Sequence, residues 1–253
     1  GSHQFILISP RTYYRAGVDM RPNRTMLVLL VELLLISGAA ASLVPAARAD
    51  AGDSGGRGVI LIHDVYELQN MSLDMNGSYE LATDIEANQW DHMGFVPIGN
   101  DTSSYYDYAL GRDVYPNSFN GRFDGNGHTI SYLSIYQKTD APVGIFSCAN
   151  SSAVICNVTL TNFQVQGRND VGGLVGMNYG TVADCICAGT ATSFMEGRRS
   201  GGLVGTNLGT ISRCTMTGQV GTLFRWYGAG LVGVNERTGM IDNCTIQGEI
   251  TGI

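Results

Sequence analysis

The 253-residue chain contains six cysteines, and four of them keep a beat: Cys156, Cys185, Cys214 and Cys244 are separated by 29, 29 and 30 residues. Thiols at such intervals could pair as disulfides, hold a metal or fill a core. If the beat marks a structural repeat, the four stack with parallel Cα–Cβ vectors roughly 4.8 Å apart. A disulfide wants Cβ atoms about 3.8 Å apart and converging. The spacing therefore predicts a ladder of reduced, buried thiols acting as small hydrophobes. Cys187 takes the position held elsewhere by Val158, Met216 and Ile246 and reads as another core residue. A metal site at Cys185-x-Cys187 is the alternative, but no histidine or second cysteine pair lies near it in sequence. No metal ligand set and no cofactor is predicted.

The acids and histidines do not assemble a catalytic pattern. Polysaccharide lyases and glycoside hydrolases need paired carboxylates, or acidic calcium ligands with an arginine. Asp184 aligns with Arg213 and Asn243, so the outward columns of the repeat read as Thr, Ser, Asn and Arg rather than as carboxylates. His63, His92 and His128 lie in separate elements, and no His-Glu-x-x-His is present. Asp124-Gly-Asn-Gly127 has too few ligands for an EF-hand-type loop and predicts a tight turn with positive φ. No catalytic residue is assigned. A polysaccharide-degrading enzyme that draws its carboxylates from different turns remains the alternative.

Two regions break the repeat and could recognise a partner. Ser193 to Arg199 and Leu223 to Tyr227 occupy the same loop of consecutive repeats, because Phe194 and Phe224 are 30 residues apart. Phe194, Arg198, Arg199, Phe224, Arg225, Trp226 and Tyr227 are thus expected on one edge. Aromatic rings beside arginine suit a glycan or a host or cell-surface protein; the alternative is that these side chains simply cover the coil's flank. The second region is the insertion Asp101 to Asn117, which carries Tyr105, Tyr106, Tyr108 and Tyr115 on a polar, glycine-containing loop. Beyond Ala49 the chain has 20 acidic and 10 basic residues, a sign of field that disfavours nucleic acid.

The elements that position these residues follow from a repeated phrase. Gly172-Gly-Leu-Val-Gly-Met-Asn178, Gly201-Gly-Leu-Val-Gly-Thr-Asn207 and Ala229-Gly-Leu-Val-Gly-Val-Asn235 recur, with leucines 29 and then 28 residues apart. A fixed period in this range marks a solenoid. The step of two between Cys214 and Met216 is strand periodicity. Glycine is too frequent for a helix of ten residues, and the Leu-x-x-Leu-x-Leu strand of a leucine-rich repeat is missing. The pattern predicts an all-β, right-handed parallel β-helix from about Phe119, with roughly five rungs. Ile130-x-x-Leu133-x-Ile135 extends it upstream and sets Leu133 in the cysteine column. Asn178, Asn207 and Asn235 recur at one turn, where asparagine tolerates left-handed backbone and its amide can bond from rung to rung. Val65, Leu68 and Met71 suit a short amphipathic helix capping the first rung.

The Gly-Gly-Leu-Val-Gly-x-Asn-x-Gly-Thr-Ile run, with the trailing Cys-x-x-x-Gly of Cys214 to Gly218 and Cys244 to Gly248, resembles the GLUG repeat of bacterial and archaeal surface proteins. That group includes adhesin-like proteins and non-catalytic parts of IgA-specific peptidases. Tyr79 to Ile85, Phe95 to Gly99 and Phe119 to Ile130 resemble the stretch that opens many pectate-lyase-like β-helices. The likeness covers about residues 60 to 253. It departs at Ala149, where the asparagine should be, and at a two-residue insertion between Asn235 and Ile241. It implies a fold and an extracellular or surface location, and no reaction.

Residues 1–19 precede the expected start methionine. Residues 20–49 read as a secretory signal peptide: a basic Met20 to Arg24, an apolar Leu27 to Ile36 and a small-x-small site at Ala47-Arg-Ala49. An uncleaved anchor is the alternative, Leu27 to Val44 being barely long enough to span. After cleavage no membrane contact is expected. Residues 50–118 are assigned to an N-terminal cap with first strands, and 119–253 to the β-helix. The last rung would present unpaired backbone at Ile250 to Ile253, so further repeats or a covering element are expected there. Seven sequons, at Asn23, Asn70, Asn76, Asn100, Asn150, Asn157 and Asn243, carry little weight in a chain this rich in Asn, Ser and Thr.

Overall fold

The computed structural model describes residues 58–89, 94–100, 103–109, 112–194, 199–222 and 228–252. Backbone contacts divide the chain into residues 1–53 and 54–253. The first unit, with the expected signal peptide, lies outside the described residues.

The second unit is a parallel β-helix. Strand β1 (Ile60–Ile62) leads into helix α1 (Val65–Asn70), then β2 (Ser78–Leu81) and β3 (Ile85–Glu86). A hairpin of β4 (Tyr105–Asp107) and β5 (Arg112–Val114) interrupts the coil before β6 (Arg122–Asp124), β7 (Thr129–Ser131) and β8 (Ser134–Tyr136). Four complete turns follow. The first is β9 (Pro142–Val143), β10 (Phe146–Ala149), β11 (Val154–Cys156) and β12 (Thr159–Gly167); the second is β13 (Asn169–Gly172), β14 (Val175–Asn178), β15 (Thr181–Ala183) and β16 (Ile186–Ser193). The third is β17 (Ser200–Gly201), β18 (Val204–Asn207), β19 (Thr210–Ser212) and β20 (Thr215–Thr222); the fourth is β21 (Gly228–Ala229), β22 (Val232–Asn235), β23 (Met240–Asp242) and β24 (Thr245–Gly252).

Equivalent strands stack into four parallel sheets. Sheet A runs β1-β2-β6-β11-β15-β19-β23, and sheet B runs β3-β7-β12-β16-β20-β24 with β8 also on β12. Sheet C is β10-β14-β18-β22, and sheet D is β9-β13-β17-β21. Parallel pairing thus begins at Ile60, before the Phe119 start expected from the repeat. Alternation along each short strand sends every second residue inward. Phe123, Ile155, Val182 and Ile211 fill the core from sheet A, and Ile130, Leu160, Cys187 and Met216 from sheet B. The helix is capped by Asp64, whose Oδ1 accepts the Glu67 N–H at 2.8 Å, and Val65, Leu68 and Met71 join the same buried cluster.

The repeated glycines have a reason that periodicity did not supply. Sheets D and C approach so closely that a Cβ at Gly205 would strike the Asp170 backbone, and one at Gly233 would lie 2.9 Å from the Ser200 backbone. Only glycine permits this contact of backbone on backbone. At the corner between the two sheets Leu174, Leu203 and Leu231 turn into the core.

The cysteine column departs from expectation in two members. Cys156 pairs with Ala183, not Cys185. Leu160 pairs with Cys187, and the Val158 carbonyl accepts the Ile186 N–H, so Val158 stands in line with Cys185. The cause is the turn after β10: residues 150–153 link it to β11, whereas residues 179–180 link β14 to β15. Those two extra residues, Val154 aligning with Thr181, make this step 27 rather than 29. Cys156 falls on the outward alternation, buried beneath Asp124 and Asn157, where burial and the Asp124 charge push its thiol up to about 12. Leu133 is likewise displaced. Ser134 pairs with Gln164, so Leu133 lies beside Phe163 in line with Gly189. The column is Val158, Cys185, Cys214 and Cys244, and the described cysteines are all free thiols. Burial raises the Cys185 and Cys187 thiols well above their ordinary value, which keeps them protonated.

The asparagine ladder is present, with its geometry corrected. Asn178 Nδ2 donates to Asn207 Oδ1 at 2.8 Å, and Asn207 Nδ2 to Asn235 Oδ1 at 2.8 Å. None of the three has left-handed backbone. Left-handed backbone recurs from turn to turn instead at Asn157, Asp184, Arg213 and Asn243, at φ of 55°, 55°, 52° and 49°, at the corner between sheets A and B.

Candidate functional site

Among the described residues the hairpin β4–β5 is the largest departure from the coil, and its base is fixed to the outer side of sheet C. Tyr115, which follows β5, is buried with Cys148 and Met177, and Tyr179 and Leu208 pack against them. Tyr179 donates its hydroxyl to the Asp113 carbonyl at 3.1 Å. Burial, with the nearby Asp170 charge, raises the Tyr115 phenol further, so it stays neutral. From this base the hairpin lifts three rings into solvent: Tyr105, Tyr106 and Tyr108 are 53%, 51% and 91% exposed. Tyr106 and Tyr108 meet edge to face at 5.1 Å, an arrangement that limits their rotamers.

The other candidate edge is reshaped. Phe194 packs on Tyr136 at 5.8 Å, and Lys138 Nζ lies 5.5 Å from the Tyr136 centroid. Tyr136 and Lys138 were not among the residues singled out from sequence. The signal was available, because Ile135 is a core residue and alternation turns Tyr136 outward. Arg199 is occupied elsewhere: its Nε meets the fully buried Asp170 carboxylate at 2.8 Å, and its Nη1 lies 3.7 Å from Glu236. Thr206 Oγ1 donates to the same Asp170 oxygen at 2.6 Å. The guanidinium is thus an internal tie joining the second, third and fourth turns. Arg198, Phe224, Arg225, Trp226 and Tyr227 lie outside the described residues.

A carboxylate pair that sequence columns missed does exist. Glu80 and Asp124 are register partners on β2 and β6, with side chains on the outer face. Sequence reading failed because the two belong to the irregular N-terminal turns, where no repeat sets the alignment. Their hydrogen-bonding capacity is taken up locally. Asp124 accepts from Arg122 at 2.7 Å, from the Asn126 N–H at 2.8 Å and from Asn157 at 3.0 Å, and Glu80 accepts from Asn126 at 2.9 Å. Burial pushes the Asp124 carboxyl up, but the Asn126 N–H, Asn157 and Arg122 outweigh it and hold the carboxyl below its usual value. An ionised, hydrogen-bonded carboxylate is the opposite of a poised general acid. Asp84 likewise accepts from the Thr129 N–H at 2.9 Å beside His128. Asp184 is matched by Arg213 through two bonds of 2.7 Å. Among the described residues no group of three or more His, Cys, Asp or Glu side chains is arranged to hold a metal ion.

Fold and site together define a parallel β-helix that carries an anchored, tyrosine-tipped hairpin. Over 135 residues, 51% of the chain, the sequence is 38% identical to halomucin of Haloquadratum walsbyi, and the chain spans about 1% of that relative's length. The structure superimposes with a TM-score of 0.56 and 18% identity on a Bacteroides ovatus protein described provisionally as an immunoglobulin A1 protease, over 76% of this chain and 58% of that one. At that identity the likeness is one of fold. No protein-family profile matches the chain.

Proposed function

We propose that this chain is a non-catalytic, adhesin-like β-helix module that works outside the cell, a rigid spacer presenting the tyrosine hairpin to a carbohydrate or protein partner. The observation that carries this reading is the contrast within one insertion. Tyr115 is sunk against Cys148 and Met177, while Tyr105, Tyr106 and Tyr108 stand in solvent. Rings held by a buried base lose little entropy on binding and offer both apolar area and a hydroxyl. An extracellular place is supported by the signal-peptide pattern at 20–49 and by the likeness to halomucin. Tyr106→Ala with Tyr108→Ala should abolish binding on a glycan array or to host cells and leave the melting temperature unchanged. Undiminished binding by that double variant would sink the assignment.

A second reading, a polysaccharide-degrading enzyme, rests on the Glu80–Asp124 pair beside Arg122. Release of new reducing ends or unsaturated uronates from a polysaccharide panel, lost in Glu80→Gln, would favour it over the spacer.

A further inference from the structure

The outer side of sheet B carries a second group of exposed rings, apart from the hairpin. Strand β7 passes into β8 through Tyr132, whose backbone is left-handed at a φ of 60°. Asparagine and glycine tolerate that region, whereas a bulky ring enters it only with strain. The next turn repeats the geometry with a residue that suits it, Asn162 at a φ of 51°. In the turn after that the extra residue is gone, and the register shifts so that Thr161 pairs with Ala188 and Phe163 with Gly189. An inserted residue of this kind re-aims a side chain. Ile130 and Leu133 are buried on either side, yet Tyr132 is 42% exposed. Strain without burial calls for another reason.

Tyr136 stands four residues further along the strand, about 13 Å at most in extended chain, and is also exposed. Its ring is braced from two turns away by Phe194, whose N–H is fixed to the Gly167 carbonyl at 3.1 Å. Around the two tyrosines the outward positions are polar and short. Ser134 lies between them, Gln164 and Gln166 pair with Ser134 and Tyr136, and Thr190 and Thr192 follow in the next turn. A protein interface gathers apolar side chains around its rings. Separate rings among amides and hydroxyls instead match a sugar, which offers C–H faces and hydroxyls in alternation.

Charge sets the class of sugar. Lys138 is the chain's only lysine, against 20 acidic residues beyond Ala49. It is exposed beside the Tyr136 ring and makes no ion pair among the described residues. Asp140, two residues on, is already matched by Arg168 at 3.5 Å. At the opposite end Glu86 is the register partner of Ser131, next to Tyr132.

We infer that the outer side of sheet B at Tyr132, Tyr136 and Lys138 binds an acidic oligosaccharide, with sugar rings on the two tyrosines and a uronate carboxylate on the Lys138 ammonium. Gln164 and Gln166 meet its hydroxyls, and Glu86 keeps the carboxylate away from the Tyr132 end. The site shares no residue with the hairpin, and neither depends on the other.

The test is calorimetric titration with hexamers of galacturonate, mannuronate and guluronate, and with neutral cellohexaose. At least one uronate hexamer should bind at sub-millimolar concentration, and cellohexaose ~10-fold more weakly or not at all. Tyr132→Asn should weaken uronate binding by ~10-fold or more and hold or raise the melting temperature, since asparagine relieves the left-handed strain. A ring kept for packing would give the opposite sign. Tyr136→Leu should weaken binding to a similar degree while still covering Phe194, and Lys138→Gln should erase the preference over cellohexaose. Tyr106→Ala with Tyr108→Ala should leave these titrations unchanged, which separates this site from the hairpin. The inference is overturned if no uronate hexamer binds at millimolar concentration, or if cellohexaose binds as well as they do. It is equally overturned if Tyr132→Asn lowers the melting temperature, if any of the three sheet B variants titrates like the unaltered protein, or if the hairpin variant abolishes binding.

Discussion

At the level of single residues the tightest constraint is Asp170, a carboxylate with no exposed surface held by Arg199 and Thr206. Removing one partner of a buried pair leaves an uncompensated charge. Asp170→Ala and Arg199→Ala are therefore each expected to cost about 3–5 kcal/mol by urea denaturation; a loss below about 1 kcal/mol would mark the pair as an ordinary surface bridge. Arg199 is for the same reason a poor probe of ligand binding, because its loss would unsettle three turns. Cys214→Ala removes a buried side chain with no exposed route for repacking and should cost about 1–3 kcal/mol. Non-reducing mass spectrometry should find Cys185, Cys214 and Cys244 as thiols. Asp124 sets a pH dependence. Its folded carboxyl titrates below the unfolded one, so its contribution is complete above the unfolded value near 4 and is lost as pH falls through the lowered folded value. Asp124→Asn should flatten the acid limb of a stability-against-pH curve.

At the level of elements, the repeated phrase encodes two separate interfaces. Its glycines let sheet D lie on sheet C, while its asparagine ties turn to turn along the edge of sheet C. Gly205→Ala must push the Asp170 backbone away and should destabilise by about 1–3 kcal/mol, with the cost falling on the D–C contact. Asn207→Leu should cost a similar about 1–3 kcal/mol, because the Gly209 N–H and the Asn178 amide lose a buried partner. Amide exchange separates the two: Gly205→Ala should expose β13 and β18, and Asn207→Leu the corner at Gly180 and Gly209. The corner between sheets A and B works by a different device. There Asp184 and Arg213 both adopt left-handed backbone, and their paired bonds bind one turn to the next.

At the scale of the whole coil, the interior says little about binding and the insertions say more. In the hairpin the buried anchor, Tyr115, and the exposed rings of Tyr105, Tyr106 and Tyr108 are all described. If the tyrosines serve a partner, removing residues 103–109 should end binding while the four turns keep their melting transition. If they cover the coil instead, the same deletion should lower the transition itself.

The period, the alternation and the glycine density determined the architecture from the sequence alone, because a repeat confined to neighbour contacts writes the same pattern into every turn. That is why Leu174, Leu203 and Leu231, the upper three members of the cysteine column and the asparagine ladder could be placed by counting. Counting failed where turns changed length. The four residues 150–153 shifted Cys156 and Val158 by two positions, a step no periodicity announces. It failed also where a contact joins parts distant in sequence. The tie of Arg199 to Asp170, the Glu80–Asp124 pairing, the stacking of Phe194 on Tyr136 and the burial of Tyr115 depend on which turn lies beside which. Only the tertiary structure decided these, because side chains on the outside of a coil answer to neighbours that loop lengths set, whereas those inside answer to the repeat itself.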